Sequence, residues 1–376
     1  MNVKTTSFGK QLELGQLRID ETVTVRHEVS LNQPGIVPDE VVAQTLKALG
    51  DKCGDFSSPI ASVLPLEACF SKVVGLKNCT LSDADNHLQQ KAEKASPFPL
   101  NDAQSRRILI DASEPKAKKT RPAFYVLAEN EIIKQRLNWF LEYGVELDLL
   151  QPQISSLFNY IRANLEEYRR QTLLSVQIGL SKSAVILIRG DRFQVREIPI
   201  GGASFTKELQ KGLKLNSFKE AEELKLNVRD PDSLHSPKAV FQAMRPVFIQ
   251  FRDQVEGLIE ECKAKGLIKE GIDMLTLIGG GAKMSGLKQF LAKKIGLVDC
   301  NVDPKKFFTG LPDEFYYRDF LQFEGATSAA MQLLGYGRFM IDMRPNGEQS
   351  EVSEHNSALG IDIGQYSIKA VKLSRV

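Results

Sequence analysis

The segment ALGIDIGQYSIKAVKLSRV (residues 358–376) combines an apolar strand, a tight polar turn and a second strand. An Asp at a strand end can hold a hydrated Mg²⁺, and a glycine beside it lets backbone N–H groups approach phosphate oxygens. The turn therefore predicts a phosphate-binding hairpin in which Asp362 is the metal ligand. Its further candidate nucleotide contacts are Gly364, Gln365, Ser367 and Lys369. An ordinary hairpin with Asp and Gly in its turn would show the same pattern.

A second hairpin of the same spacing occurs at VQIGLSKS (residues 176–183). Here Gln177 occupies the position of the carboxylate, and an amide is a weaker Mg²⁺ ligand than a carboxylate. The candidate nucleotide contacts are Gly179, Ser181 and Lys182, of which the lysine places a cation in the turn. A purely structural hairpin is the alternative. Two similar strand-turn-strand units predict a duplicated architecture with two lobes.

A glycine-rich turn follows the apolar strand MLTLI (residues 274–278) and precedes a predicted helix. Because glycines carry no side chains, a base or ribose can lie against the backbone at a helix N-terminus. Close packing of the strand and the helix would explain the same glycines. The candidate nucleotide contacts in this turn are Gly279, Gly280, Gly281 and Met284.

Glu222 and Lys225 lie three residues apart on one face of a predicted helix between the second hairpin and the glycine-rich turn. From the side of a cleft they could reach a ribose and a base, so both are candidate nucleotide contacts. An exposed ion pair is the alternative interpretation.

Composition indicates an ordinary globular protein, and the order of its predicted strands and helices indicates the α/β class. Apolar residues form 42% and charged residues 26% of the 376 residues, and strands alternate with helices along the chain. The formal net charge of +2 gives no support to nucleic-acid binding. The five cysteines are scattered, which predicts reduced thiols and a cytoplasmic setting. No run of about 18 apolar residues occurs, so we predict no membrane span.

Together, the two hairpins and the glycine-rich turn resemble the actin/Hsp70/sugar-kinase superfamily. Within it, the sequence resembles the type IV pilus assembly protein PilM family. The resemblance rests on GIDIGQYSIKAVKL, SPFPLNDA at Ser96–Ala103, the Ala-Glu-x-x-Lys helix at Ala221–Lys225, the turn at Gly279–Leu287 and REIPIGG at Arg196–Gly202. It implies an α/β fold of two actin-like (ribonuclease H-like) lobes with an inserted small α+β subdomain.

The order of these motifs is circularly shifted, because in the family the Asp-Ile-Gly hairpin opens the chain. We therefore predict a circular permutant, natural or engineered, with RPNGEQSEVSEHNS (residues 344–357) as the joint between the old ends. The predicted domains are a first lobe from residues 1–30, 147–171 and 322–376, a small subdomain from residues 31–146, and a second lobe from residues 172–321.

The resemblance implies a cytoplasmic scaffold of a type IV pilus, peripheral to the inner membrane. It implies binding of ATP with Mg²⁺ and of the short cytoplasmic peptide of a PilN-type membrane protein, beside other platform proteins. The peptide is expected near residues 60–100, with Leu66, Phe70, Phe98 and Leu100 as candidate contacts. Gln177 and Gln365-Tyr366 depart from the family pattern. These departures predict at most a weak ATPase, and no catalytic residue is assigned.

Three alternatives stay open at this point. A GspL-like scaffold of a type II secretion machine, with a degenerate nucleotide site, is favoured by Ile341–Pro345, which resembles a stretch near the membrane segment of such proteins. A sugar or acetate kinase needs a catalytic Asp in the cleft, whereas Asp191 lies at a predicted hairpin tip. A filament-forming actin homologue fits the inserted subdomain poorly.

Overall fold

The computed structural model describes residues 16–31, 33, 35–53, 56–76, 83–110, 121–165, 168–190, 192–227, 235–268, 271–284, 286–295, 298–299, 308–311, 320–337, 339–345, 347 and 355–376. Asp191 lies outside these residues. No helix in the described part of the chain is long and apolar enough to cross a membrane. The chain divides into two compact units, residues 1–166 with 303–376 and residues 167–302.

Strands and helices alternate along the chain, as the sequence predicts for the α/β class. The strands are β1 (Leu17–Arg26), β2 (Ile60–Leu64), β3 (Phe70–Leu76), β4 (Ala103–Leu109), β5 (Arg121–Glu129), β6 (Leu149–Pro152), β7 (Thr172–Ile178), β8 (Ser183–Arg189), β9 (Arg192–Ile198), β10 (Met274–Ile278), β11 (Val298–Asp299), β12 (Phe308–Thr309), β13 (Ser357–Ile363) and β14 (Ser367–Arg375). The helices are α1 (Pro38–Cys53), α2 (Ala84–Ala95), α3 (Asn130–Leu141), α4 (Gln153–Asn164), α5 (Gly202–Leu213), α6 (Phe218–Leu226), α7 (Pro237–Ala264), α8 (Leu287–Ile295) and α9 (Glu324–Leu333).

The first unit is built on a six-stranded sheet with the order β12-β1-β14-β13-β2-β6. Strands β13, β14 and β1 are antiparallel neighbours, β2 runs parallel to β13, and β6 runs parallel to β2. Helix α9 packs directly on β13, because a Cβ added at Gly360 would lie only 1.8 Å from the carbonyl oxygen of Ala326. A glycine in β13 is thus what allows the helix to approach the sheet.

A smaller antiparallel sheet with the order β3-β5-β4 also belongs to the first unit. Helix α2 packs on it through a small apolar cluster that includes Leu76, Leu88 and Tyr125. The prediction assigned residues 31–146 to the small subdomain, but β2 in that range pairs with β13 of the larger sheet. The small sheet therefore begins with β3, and the overall division into lobes stays a prediction.

The second unit is built on a five-stranded sheet with the order β11-β10-β7-β8-β9. Its buried core combines β7, β8 and β10 with helices α5, α7 and α8. Helix α7 supplies Phe248, Phe251 and Leu258, all fully buried, at the spacing that places side chains on one helical face. This apolar face accounts for the packing of the helix in the core.

The two larger sheets share one topology when the first is traced from β13. In the second unit, β7, β8 and β9 are antiparallel and consecutive, β10 is parallel to β7, and β11 is parallel to β10. In the first unit the same positions are held by β13, β14, β1, β2 and β6. Val376 N–H donates to Gln16 O at 3.1 Å, where β14 ends beside β1. The shared topology supports the predicted duplication, and the circular permutation stays a prediction.

Candidate functional site

The turn between β13 and β14 is the predicted metal and phosphate hairpin of the first unit. The strands pair in the register Asp362 to Lys369, and Gly364 N–H closes the turn by donating to Ser367 O at 3.0 Å. Lys369 Nζ lies 3.5 Å from Asp362 Oδ2, and their side chains are 17% and 13% exposed. The lysine opposite the predicted metal ligand therefore balances its charge within the hairpin.

Two side chains that the sequence analysis did not select hold the end of β13. His27 Nε2 lies 3.0 Å from Gly364 O, and Nδ1 of the same ring lies 2.8 Å from Thr45 Oγ1. Arg136 Nη1 donates to Ile363 O at 3.2 Å. Burial lowers the pKa of Arg136 to about 10. Both side chains fix main-chain carbonyls, so they hold the turn in one conformation.

The metal prediction for Asp362 can be tested against the donor groups around it. Among the described residues, no three His, Cys, Asp or Glu side chains come together to hold a metal ion. In nucleotide sites Mg²⁺ is usually bound by one or two carboxylates together with phosphates and water. Asp362 supplies one such carboxylate, so it fits a Mg²⁺ that the phosphates of a nucleotide also bind, and this role stays a prediction.

The turn between β7 and β8 repeats this geometry in the second unit. Gln177 pairs with Ala184 in the register, and Gly179 N–H donates to Lys182 O at 3.0 Å. The side chain of Gln177 is buried, so the amide lies where the first hairpin has its carboxylate. Lys182 Nζ lies 3.8 Å from Glu197 Oε2 and its side chain is 35% exposed. The second hairpin thus has the same shape without the acid-lysine pair.

The start of α5 folds over the second hairpin. Gly202 N–H donates to Gly179 O and Ala203 N–H donates to Leu180 O, each at 2.9 Å. Ser181 is partly exposed in the same turn. Because its first N–H groups are bound to the hairpin, this helix end positions the turn.

Lys225 is buried and uses its ammonium group inside the second unit. Its Nζ donates to Gly202 O at 3.1 Å, to Thr206 Oγ1 at 2.8 Å and to Glu222 Oε2 at 2.7 Å. Burial lowers the pKa of Lys225, and Glu222 opposes this shift. The two side chains form the ion pair that their spacing predicts, but it is partly buried and joins α6 to α5. Their contact with a nucleotide stays a prediction.

The glycine-rich turn divides into packing glycines and an open one. Gly279 has φ +84°, and a Cβ at Gly281 would lie 2.3 Å from Ile178 Cγ2, so packing on β7 requires both. A Cβ at Gly280 would meet nothing within 4 Å. Met284 is buried in the core of the unit, which accounts for it as a packing residue. Close packing thus explains two glycines and leaves Gly280 without a structural reason.

The candidate partner contacts lie at the small sheet and just before it. Phe70, Phe98 and Leu100 are partly buried against the apolar cluster under α2, whereas Leu66 is 2% exposed. Ser96 holds the Pro-Phe-Pro segment, because its hydroxyl donates to Phe98 O at 2.5 Å and accepts from Phe98 N–H at 3.2 Å. Three of the four predicted residues therefore have apolar surface available near one cluster.

Two residues of the first hairpin site lacked a clear sequence signal. His27 precedes Gly364 by 337 residues, and only the sheet topology brings them together. Arg136 left a weak signal: it lies three residues before the single Trp on an amphipathic helix, and its guanidinium stands 4.5 Å from the centre of the Trp139 ring. An arginine at such a position is a candidate for a buried structural role.

Two sheets of one topology, each with a matched hairpin, define an actin-like α/β protein of two lobes with an inserted small α+β subdomain. The chain belongs to the type IV pilus assembly protein PilM family, whose pattern matches residues 1–314. The fold class and the resemblance predicted from the sequence are confirmed.

A similar solved structure shows the same fold. A chain described as "PilM-PilN type IV pilus biogenesis complex" is 20% identical, with a TM-score of 0.66 over 86% of this chain and 97% of that chain. Ethanolamine utilization protein EutJ from Carboxydothermus hydrogenoformans is 17% identical, with a TM-score of 0.35 over 50% of this chain and 58% of that chain. No curated protein matches the sequence.

Proposed function

We propose that this chain is an actin-like scaffold of the type IV pilus inner-membrane platform that binds ATP with Mg²⁺ and the cytoplasmic peptide of a PilN-type membrane protein. The observation that carries the nucleotide part is the pair of hairpins in one register. Each is closed by a glycine N–H over a four-residue turn, the construction that leaves backbone N–H groups close to a phosphate.

Gly280 adds support from the second unit. Neither packing nor backbone conformation requires a glycine there, since a Cβ would meet nothing within 4 Å and no positive φ is involved. A missing side chain beside open space suits a flat base or ribose lying against the backbone. Gly280 is therefore the nucleotide contact that we expect to be most informative.

Binding rather than turnover is the proposed role of the nucleotide. Gln177 has no carboxylate to act as a base in the second hairpin and its amide is a weaker metal ligand, and Asp362 already has Lys369 beside it. We therefore propose at most weak ATPase activity and a nucleotide that shifts the populations of conformations.

A PilN-type partner would place the chain in the cytoplasm against the inner membrane. The similar solved chain comes from a PilM-PilN complex, which supports this choice of partner. The partly exposed Phe70, Phe98 and Leu100 offer apolar surface for a short peptide. We propose that this patch, next to the inserted small sheet, contributes to the partner site.

Calorimetric titration of ATP with Mg²⁺ tests the nucleotide proposal on the chain and on Gly280→Val and Asp362→Ala. We expect micromolar binding that falls at least about tenfold in each variant, equivalent to roughly 1.4 kcal/mol. Gly271→Val is the matched control, because Gly271 is also open and lies outside the turn. Equal affinity in the chain and in Gly280→Val would contradict the proposed base or ribose contact.

A degenerate scaffold of GspL type is the second candidate, favoured by one observation. The ammonium group of Lys225 donates three hydrogen bonds to protein atoms, and Lys369 faces Asp362. Two predicted nucleotide contacts therefore already have protein partners. Absence of ATP binding by the folded chain, together with retained binding of a PilN-type peptide, would favour this candidate.

A further inference from the structure

Arg136 on α3 is a buried arginine that uses little of its hydrogen-bonding capacity. It is 8% exposed, and a guanidinium has five N–H donors. Among the described residues, its close contacts are one hydrogen bond of 3.2 Å from Nη1 to Ile363 O and the Trp139 ring, whose centre lies 4.5 Å from Cζ. A buried charge is costly unless it is paired and hydrogen-bonded, so we expect this arginine to have a further partner.

Two carboxylates near Arg136 do not supply that partner. Burial lowers the pKa of Arg136 to about 10, and the charges of Asp362 and Glu67 oppose this shift. In the described part of the chain, however, neither carboxylate forms an ion pair with Arg136, and Asp362 lies 3.5 Å from Lys369 instead. Within these described residues Arg136 is therefore a buried cation without a close counter-charge.

Arg136 lies at an edge of the six-stranded sheet that suits a ligand. Strand β13 ends at Ile363 and its parallel neighbour β2 ends at Leu64, so the carboxyl ends of both strands meet at one edge. Arg136 binds the last residue of β13, and Glu67, which acts on its charge, follows β2. In open α/β sheets, ligands bind outside the carboxyl ends of the strands. The place of Arg136 is therefore one from which a side chain can contact a ligand.

The groups around Arg136 favour a phosphate as that ligand. Burial lowers the pKa of His27, and Arg136 and Lys369 lower it further, so three basic side chains lie near one another at the end of β13. The planar guanidinium matches the oxygens of a phosphate and binds them with two parallel hydrogen bonds. A Mg²⁺ shared with the phosphates would screen them from the carboxylate of Asp362.

We infer that Arg136 binds a terminal phosphate of the nucleotide. The inference rests on the proposed function for the identity of the ligand, and it deepens that function by naming the side chain that meets the phosphate. Because the buried guanidinium gains its counter-charge only in the complex, Arg136 contributes to binding and not to the stability of the free chain.

Calorimetric titration of ATP with Mg²⁺ tests this contact on the full chain and on three variants. Arg136→Met keeps apolar length beside Trp139 and removes the charge, whereas Arg136→Lys keeps the charge without the planar fork. Lys134→Met, which removes an exposed charge from the same helix, is the matched control. We expect at least about a tenfold loss of affinity in Arg136→Met, a smaller loss in Arg136→Lys and none in Lys134→Met.

Thermal unfolding without ligand separates this role from a structural one. We expect Arg136→Met to unfold at the temperature of the parent chain or above it, because the variant removes a buried charge that lacks a close partner. A clearly lower midpoint would mean that the arginine is already paired in the free chain, and would count against the inference. If Arg136→Met does not fold, Arg136→Lys decides, and ATP affinity equal to that of the parent would overturn the inference.

Pyrophosphate as a second probe distinguishes failure of the inference from failure of the proposed function. If the parent and a folded Arg136→Met bind ATP equally, the inference fails and the proposed nucleotide binding stands. If the parent binds no ATP, the proposed nucleotide binding fails. Pyrophosphate with Mg²⁺ that raises the unfolding midpoint of the parent but not of Arg136→Met would then still support a phosphate site at Arg136, and an equal response in both chains would overturn it.

Discussion

The hairpins β13–β14 and β7–β8 share one backbone geometry but have different side chains at the ends of their strands. In both turns a glycine N–H donates a hydrogen bond of 3.0 Å across the turn. In both, the carbonyl of that glycine is bound by a group that follows the third antiparallel strand, which is β1 in the first unit and β9 in the second. In the first hairpin Asp362 faces Lys369, and in the second Gln177 faces Ala184. The comparison teaches that register and turn length carry the fold, while the side chains at the strand ends are free to differ in charge.

The largest expected effect concerns a position that differs between the two hairpins for steric reasons. Gly360 lies two residues before Asp362, and Ser175 lies two residues before Gln177. A Cβ at Gly360 would stand 1.8 Å from Ala326 O, so we expect Gly360→Ser to cost more than about 3 kcal/mol of unfolding free energy. The reverse change, Ser175→Gly, should cost only about 1 kcal/mol.

Urea unfolding of both variants measures this difference. A Gly360→Ser chain as stable as the parent would show that α9 can move away from β13. The comparison would then lose its steric explanation, and the glycine would need a functional reason.

The next largest effect is expected when the paired side chains of the first hairpin are changed to those of the second. Asp362→Gln leaves Lys369 without its partner in a largely buried place, and Lys369→Ala leaves Asp362 beside Arg136 alone. We expect each single change to cost about 2 kcal/mol, and the double change to cost about 1 kcal/mol less than their sum, because neither charge is then left unpaired.

A double-mutant cycle by urea unfolding gives the coupling directly. Fully additive costs would mean that the acid-lysine pair contributes nothing to the first hairpin. Arg136 would then be the cation that stabilises the carboxylate of Asp362. The energetic difference between the two hairpins would come from residues outside the turn.

A smaller effect follows from the groups that bind the two glycine carbonyls. Gly364 O is bound by the His27 ring, whereas Gly179 O is bound by the Gly202 N–H, which does not titrate. Burial lowers the pKa of His27, and Arg136 and Lys369 lower it further, while the hydrogen bond to Gly364 O opposes the shift. The unfolded chain therefore binds more protons than the folded chain just below pH 6.5, so His27 contributes stability that is present above that pH and is lost as the pH falls.

Unfolding free energies at pH 7 and pH 5 test this pH dependence. We expect the parent chain to lose unfolding free energy between pH 7 and pH 5, and His27→Gln to lose less. His87→Gln, on α2, is the control and should keep the loss. An unchanged pH dependence in His27→Gln would assign the loss to another group.

Much of the fold could be read from the sequence because it depends on spacing. The two hairpins share their turn length, and the alternation of strands and helices gave the class of fold. The partners of the hairpins could not be read, since His27, Arg136 and Lys225 act through burial and through contacts between distant segments. The glycine-rich turn shows the limit of reading a site from sequence. Its three glycines look alike, but backbone conformation or close packing requires two of them and neither requires the third, and only the surrounding structure reveals this.

The smallest expected effect tests the predicted permutation. Strands β14 and β1 are already antiparallel neighbours from Leu17 opposite Arg375 to Arg26 opposite Ser367. A chain in which residues 355–376 precede residue 16 through a two-residue Asn-Gly turn, and which ends at residue 347, would make the first sheet as consecutive as the second. We expect its unfolding midpoint to match the parent closely, because every strand pair is kept and joining ends that already meet changes little entropy.

A chain opened at residue 250, within α7, is the control and should not fold, because the break removes the helix that fills the core of the second unit. A reordered chain that fails to fold would mean that the order of the strands is itself needed, and the two sheets would then be alike in geometry without being interchangeable in sequence order.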